Sequence, residues 1–118
     1  MRLLIAASLA ALSLAALPVR AQDTPEIVVT GTKTQNGAQT ATRSETVKYA
    51  DLDLSKPAGV KTLYARIEGA ARTVCAPKPS PSDMAGTKDY NTCLSHAVDT
   101  AVAQVGNPDL TAMVASAH

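Results

Sequence analysis

The strongest hydrophobic pattern of the chain lies in residues 56–75, where apolar positions recur at spacings of three and four. At about 100° per residue these positions share one side of a helix, and the charged residues lie outside it. The pattern predicts an amphipathic helix that packs against a core and ends at Cys75. The residues of the predicted inner face are Val60, Leu63, Tyr64, Ile67, Ala70, Ala71 and Val74.

The segment before this helix predicts a strand and a corner. Residues 45–49 alternate in a way that turns Val47 and Tyr49 towards a core, as in a half-buried strand. Residues 51–55, which include Asp51 and Asp53, then turn the chain. We expect Ser55 to cap the helix and Pro57 to lie in its first turn, where a missing N–H costs nothing.

Residues 22–44 predict a short strand and a polar segment. The β-branched residues 26–30 lie between a proline and a glycine, which favours a strand. For the threonine-rich residues 32–44 two structures remain open. Asn36 and Gly37 favour a tight hairpin turn, whereas the lack of apolar alternation slightly favours a flexible tether.

A second helix is predicted over residues 89–105, after prolines at 77, 79 and 81 and a loop over residues 82–88. Gly106 and the following Asn-Pro pair should end it. Residues 108–118 are expected to be a tail with one further short helical turn. The predicted inner face of the second helix comprises Tyr90, Cys93, Leu94, Ala97, Ala101 and Val105.

The first residues have the order of a secretory signal peptide. An arginine at position 2 precedes an apolar run over residues 3–17, and Ala21 supplies a small residue for cleavage. A membrane-spanning helix wants about 20 apolar residues, so we predict a cleaved signal over residues 1–21 and no stable membrane anchor after cleavage. The short basic start is typical of bacteria, and we expect a periplasmic or secreted protein.

Charge and composition narrow the function further. Without residues 1–21, nine Lys and Arg face ten Asp and Glu, evenly mixed along the chain. Nucleic-acid binding needs a concentrated basic patch, so we expect no nucleic-acid partner. The chain contains no Phe or Trp and three Tyr, which leaves a modest core of small aliphatic side chains. A small exported domain of this kind commonly needs a covalent staple.

The two cysteines supply that staple. Cys75 ends the first predicted helix and Cys93 lies in the first turns of the second. An antiparallel helix pair brings these ends together, and two cysteines in an exported chain allow one intramolecular pairing. The fold class predicted is therefore small α+β: one or two short N-terminal strands followed by a disulfide-stapled antiparallel helix pair. The expected globular core spans residues 45–107.

Few residues are candidates for chemistry. His96 and Asp99 lie three residues apart on the second predicted helix, on the side away from its apolar stripe, and His118 is the last residue. Asp51 and Asp53 lie two apart in an extended segment and could face a hard cation together. A catalytic metal site needs three protein ligands, so we expect a surface histidine and a solvated acidic corner. We expect no cofactor.

Three parts of the sequence resemble the UrcA family of small exported bacterial proteins. They are residues 49–55 (YADLDLS), the glycine at 59 and residues 66–75 (RIEGAARTVC). The resemblance covers residues 46–105. It implies export, small size and the paired cysteines, and it transfers no catalytic residue. The family name refers to a response to uranium, which implies stress-linked expression.

Two functions follow as expectations. The first is an exported, non-enzymatic structural or interaction protein that binds an envelope partner through a strand edge or a helix face. The second is a metal- or small-ligand-binding protein that uses Asp51, Asp53 or His96. The signature motifs of serine nucleophiles, phosphate loops and zinc proteases do not occur in the sequence, so we expect no enzymatic activity.

Overall fold

Two antiparallel strands precede three helices in the computed structural model, which describes residues 24–35 and 37–117. The strands form one hairpin sheet, and Cys75 and Cys93 join the first two helices. The predicted α+β class and its disulfide are confirmed. The elements are β1 (Glu26–Gln35), β2 (Ala38–Lys48), α1 (Pro57–Cys75), α2 (Met84–Val105) and α3 (Pro108–Ser116).

The hairpin corrects the preference for a flexible tether over residues 32–44. Threonines favour extended backbone because their branched side chains fit a pleated surface. They also pair across the strands: the hydroxyls of Thr30 and Ser44 lie 3.1 Å apart, and Gly37 supplies the positive φ of 79° at the turn. The apolar alternation that a core-facing strand shows is absent because most of β2 packs against no core.

The core lies between the inner face of the hairpin and the helices. β1 alternates along its first half, so that Ile27, Val29 and Gly31 are buried. Gly31 is required there, because a Cβ atom at this position would lie 2.6 Å from Cγ2 of Val74 and 3.1 Å from Sγ of Cys75. The close approach of β1 to the end of α1 therefore depends on a residue without a side chain.

The prediction of α1 is confirmed to within one residue at its start, and six of the seven predicted inner-face residues are buried, with Tyr64 partly buried. The cap was wrong. Lys56 is the N-cap residue and offers no side-chain cap, while the Ser55 hydroxyl donates to Asp53 instead. Gly59 fits against the corner, since a Cβ there would clash with the carbonyl oxygen of Asp53.

The second helix begins five residues earlier than predicted, so the expected loop over residues 82–88 is mostly helical. The carboxylate of Asp83 accepts a hydrogen bond from the Gly86 N–H at 2.9 Å and caps this end. Val98 and Val102 are also buried, which the predicted inner face omitted. Gly106 ends the helix with a positive φ of 66°, as predicted.

The expected tail contains a helix with a role in the core. Asn107 caps α3 by accepting from the N–H groups of Asp109 and Leu110. Leu110 and Val114 are buried, so α3 closes one end of the core rather than trailing from it. The predicted signal peptide and His118 lie outside the described residues. Among the helices of residues 24–35 and 37–117, none has the length and apolar character that crossing a membrane requires.

Candidate functional site

The acidic corner separates its two carboxylates through different partners. Asp51 accepts two hydrogen bonds from the guanidinium of Arg66, from Nη1 at 2.8 Å and from Nη2 at 2.7 Å. The same Nη1 donates to the backbone carbonyl of Lys48 at 2.9 Å. This paired geometry holds the pKa of Asp51 at about 2, chiefly through the Arg66 hydrogen bonds, and raises the pKa of Arg66.

Asp53 is engaged within its own turn. It accepts from the hydroxyl and the N–H of Ser55, and Lys56 lies 3.9 Å away. The Ser55 side-chain hydrogen bond is the main reason that the pKa of Asp53 is lowered. Each acid of the predicted cation pair therefore has a local structural partner, and Asp51 is tied to α1 rather than to Asp53.

His96 lies exposed on α2, where it shares a shallow depression with Met84 and Asp99. Burial raises the pKa of Tyr64 on α1, and a hydrogen bond with Glu68 raises it further; the charge of Asp99 makes a smaller contribution in the same direction. In the part of the chain that the structure describes, no three His, Cys, Asp or Glu residues gather as a metal site would require.

The disulfide fixes the helix pair on which the hairpin rests. Cys75 and Cys93 are both buried, and their Cα atoms lie 5.9 Å apart, within the ordinary range for a disulfide. The disulfide is part of the packed core, because Gly31 of β1 packs directly against Cys75. The bridge thus positions the sheet relative to both helices.

One edge of that sheet is covered at Val28 by a side chain of α2. The Gln104 amide of α2 lies beside Val28 of β1, accepts from its N–H at 3.3 Å and donates to its carbonyl at 2.9 Å. Gln104 therefore occupies the place that a neighbouring strand would take. Because Val28 turns its backbone groups outward, its cross-strand partner Thr46 forms a pair without ladder hydrogen bonds.

This register fixes which backbone groups face outward on β2. The hydrogen bond from Tyr49 N–H to the Pro25 carbonyl lies three residues beyond the pair of Val28 and Thr46, at a hydrogen-bonded position of the same ladder, and agrees with it. The outward groups on β2 accordingly belong to Thr42, Ser44, Thr46 and Lys48. Arg66 occupies the Lys48 carbonyl. Within residues 24–35 and 37–117, no hydrogen bond occupies the outward N–H and C=O groups of Thr42, Ser44 and Thr46.

We call residues 42–46 of β2 the open edge. Next to it, the surface of α1 is recessed and forms the floor of a groove. A shallow groove runs between residues 45–48 and the α1 residues Arg66, Gly69 and Ala70. Gly69 is exposed, and a Cβ atom at this position would meet nothing within 4 Å. At Gly69, α1 thus contributes no side chain to the groove beside residues 45–48.

The chain matches no protein-family model, no curated protein and no solved structure. The geometry of the described residues is thus the basis for a functional proposal. On the open edge, Thr42, Ser44 and Thr46 each turn an N–H and a C=O group outward. Such an edge can add a strand through backbone hydrogen bonds. The predicted candidates Asp51, Asp53 and His96 do not come together with one another at this edge.

Glu45 and Thr46 were predicted as part of a strand over residues 45–49, but the sequence did not indicate that the edge of this strand is open. Gln104 belongs to no motif, and Arg66 and Gly69 were named only within the RIEGAARTVC segment, residues 66–75. The usable signal was the alternation of small hydroxyl side chains with charges in residues 42–46 (TRSET), which is typical of a solvent-exposed strand. Its meaning depends on the register with β1, which pattern alone does not give.

Proposed function

We propose that this protein is an exported, non-enzymatic interaction protein that accepts an extended strand of a partner chain along the open edge of β2. The observation that carries the proposal is the contrast between the two sheet edges. Gln104 occupies the outward backbone groups of Val28, and α2 packs against β1 and not against β2, whereas the outward groups of Thr42, Ser44 and Thr46 have no partner among the described residues. Natural proteins commonly blunt an edge that has no partner.

Export to the periplasm or the cell exterior is part of this proposal. The basic start, the apolar run and the small residue at position 21 support a cleaved signal peptide. A disulfide between Cys75 and Cys93 is consistent with an oxidising compartment. Membership of the UrcA family, with stress-linked expression, is proposed on the YADLDLS and RIEGAARTVC segments.

Metal or small-ligand binding is less well supported by the geometry. A cation at Asp51 would compete with two guanidinium hydrogen bonds, and one at Asp53 with the Ser55 hydroxyl and N–H. His96 adds a single imidazole on an exposed helix surface. Calorimetry of the wild-type protein with divalent cations and uranyl, repeated on an Asp51→Asn/Asp53→Asn variant, would revive this alternative if only the wild type released heat.

The strand-addition proposal is tested by photo-crosslinking in the cell envelope. A photoreactive residue replaces Thr46 on the open edge or, as the control, Thr111 on the exposed side of α3. We expect a discrete adduct from position 46 and none from position 111.

A proline variant ties this adduct to the backbone edge. Ser44→Pro removes one outward N–H and spares the ladder to β1, so the hairpin should remain and the adduct should disappear. The circular dichroism spectrum checks that the variant is folded. Equal adducts from positions 46 and 111, or an undiminished adduct in the folded Ser44→Pro variant, would overturn the proposal.

A further inference from the structure

We infer that the strand added to the open edge is β2 of a second copy of this chain, antiparallel about a two-fold axis at Ser44. This inference rests on the proposed function, since it names the occupant of the same edge. The two hairpins then form one four-stranded sheet in the order β1–β2–β2–β1. The sequence of the edge, its ends and its floor all favour this partner.

The ends of the regular edge place its midpoint at Ser44. The register shifts between Lys33 and Thr34, which leaves Thr40 as an extra residue in β2 and bends the edge there. At the other end, Arg66 occupies the carbonyl of Lys48. The regular, unoccupied stretch is therefore residues 41–47, and Ser44 is its central residue.

A two-fold axis at Ser44 satisfies the outward backbone groups in pairs. Ser44 faces its own copy, and Thr42 of each chain faces Thr46 of the other. All three are outward-facing residues, so each pairing exchanges two hydrogen bonds in the ordinary antiparallel geometry. A register displaced by one residue would set outward groups against inward ones, so the two-fold axis must pass through a residue position rather than between two residues.

The same axis brings opposite charges together. Arg43 of each copy lies directly opposite Glu45 of the other, once on each side of the axis. Both residues lie on the face of β2 that carries Val47, and both are exposed in the single chain. Opposite charges at directly paired positions stabilise a sheet and like charges destabilise it, so the edge is complementary to itself.

The floor of the groove leaves room for this arrangement. A two-fold axis perpendicular to the sheet keeps both α1 helices on the same face, where their flanks approach one another below the new strand pair. That flank carries small residues, with Gly69 exposed and Ala70 at the groove. On the opposite face, Thr42, Ser44 and Thr46 continue the hydroxyl pairs already formed within each hairpin.

Charge reversal tests the inference by sedimentation equilibrium of the mature protein. We expect a wild-type dimer and at least tenfold weaker association for Arg43→Glu or Glu45→Arg, since each places like charges opposite one another twice. An equimolar mixture of the two variants should regain wild-type affinity, as should the double variant Arg43→Glu/Glu45→Arg. Circular dichroism verifies that each variant is folded.

Cysteine crosslinking tests the position of the axis. Ser44→Cys should give a covalent dimer on oxidation, because directly paired Cα atoms lie about 5.5 Å apart, within disulfide range. Thr42→Cys alone should not crosslink, whereas its mixture with Thr46→Cys should. A crosslink of Thr42→Cys to itself would overturn the two-fold axis at Ser44.

The two proposals fail separately. A wild-type protein that remains monomeric at all concentrations, or variants that associate as the wild type does, would overturn the second-copy inference. The photo-crosslinking experiment then decides the proposed function, because an edge-specific adduct with a mass other than twice that of the chain would retain strand addition with another partner. A monomer without any edge-specific adduct would overturn both.

Discussion

The contact between Asp51 and Arg66 consists of two charge-assisted hydrogen bonds. It joins the acidic corner to α1 and also holds the end of β2 through the Lys48 carbonyl. Sequence reasoning selected Asp51 because paired acids can bind cations, and it could not see that Arg66, fifteen residues later, shares its side of the fold. The spacing alone leaves the acid's partner undetermined.

This contact predicts a pH dependence of stability. The pKa of Asp51 is about 2 in the folded protein against an ordinary value of 3.8, so the unfolded state binds more protons between these values. The stabilisation is present above about pH 4 and is lost as the pH falls towards 2. We expect Asp51→Asn to flatten this part of the profile of unfolding free energy against pH, measured by denaturant titration.

Arg66→Gln should flatten the same part of the profile, because it removes the other half of the contact. Some acid dependence should remain in both variants, since the pKa of Asp53 is lowered as well. An Asp51→Asn profile that overlays the wild-type profile would contradict the assignment.

Replacing a glycine with alanine should change the free energy of unfolding in opposite directions at Gly31 and Gly69. Gly31→Ala introduces a Cβ atom against Val74 and Cys75 in the core, and should lower the free energy of unfolding by about 1–3 kcal/mol. Gly69→Ala adds a Cβ atom in open space on α1 and should raise it by about 0.5–1 kcal/mol. Denaturant titrations of both variants measure the difference, and equal effects would contradict the packing described for Gly31.

At the scale of elements, the helices were more predictable than the hairpin. The apolar stripe of α1 determines which face is buried, and this local periodicity survives in the fold. The start of α2 was missed because its first turn, Met84–Thr87, contributes no buried residue and depends on the Asp83 cap. The outer part of the hairpin was missed because it pairs without packing on a core.

The disulfide between α1 and α2 leads to a prediction about the stability of the fold. Closing a loop between residues 75 and 93 should stabilise the fold by about 3 kcal/mol through the lost entropy of the unfolded chain. Reductant should therefore lower the melting temperature by roughly 10 °C or more. A Cys75→Ala/Cys93→Ala variant should melt at the lower temperature with or without reductant, and an unchanged wild-type melting temperature would contradict the role of the bridge.

At the scale of the whole molecule, the fold class followed from local patterns and the candidate site did not. Strands before helices and one possible cysteine pairing lead to a stapled α+β fold. The open edge appears only when Val28 and Thr46 are placed opposite one another and Gln104 is brought to Val28 from 76 residues away. Such long-range relations have no local signature in a single sequence.

The Gln104 amide has one more consequence, which concerns how far association can extend. A hairpin with two accessible edges adds neighbours on both sides, so its assembly has no natural end and grows into fibres. With the amide on Val28 and α2 packed against β1, the proposed pairing uses the β2 edge as the side for growth. When two chains pair through the β2 edge, this edge is occupied in both of them. The assembly is then finite and self-terminating.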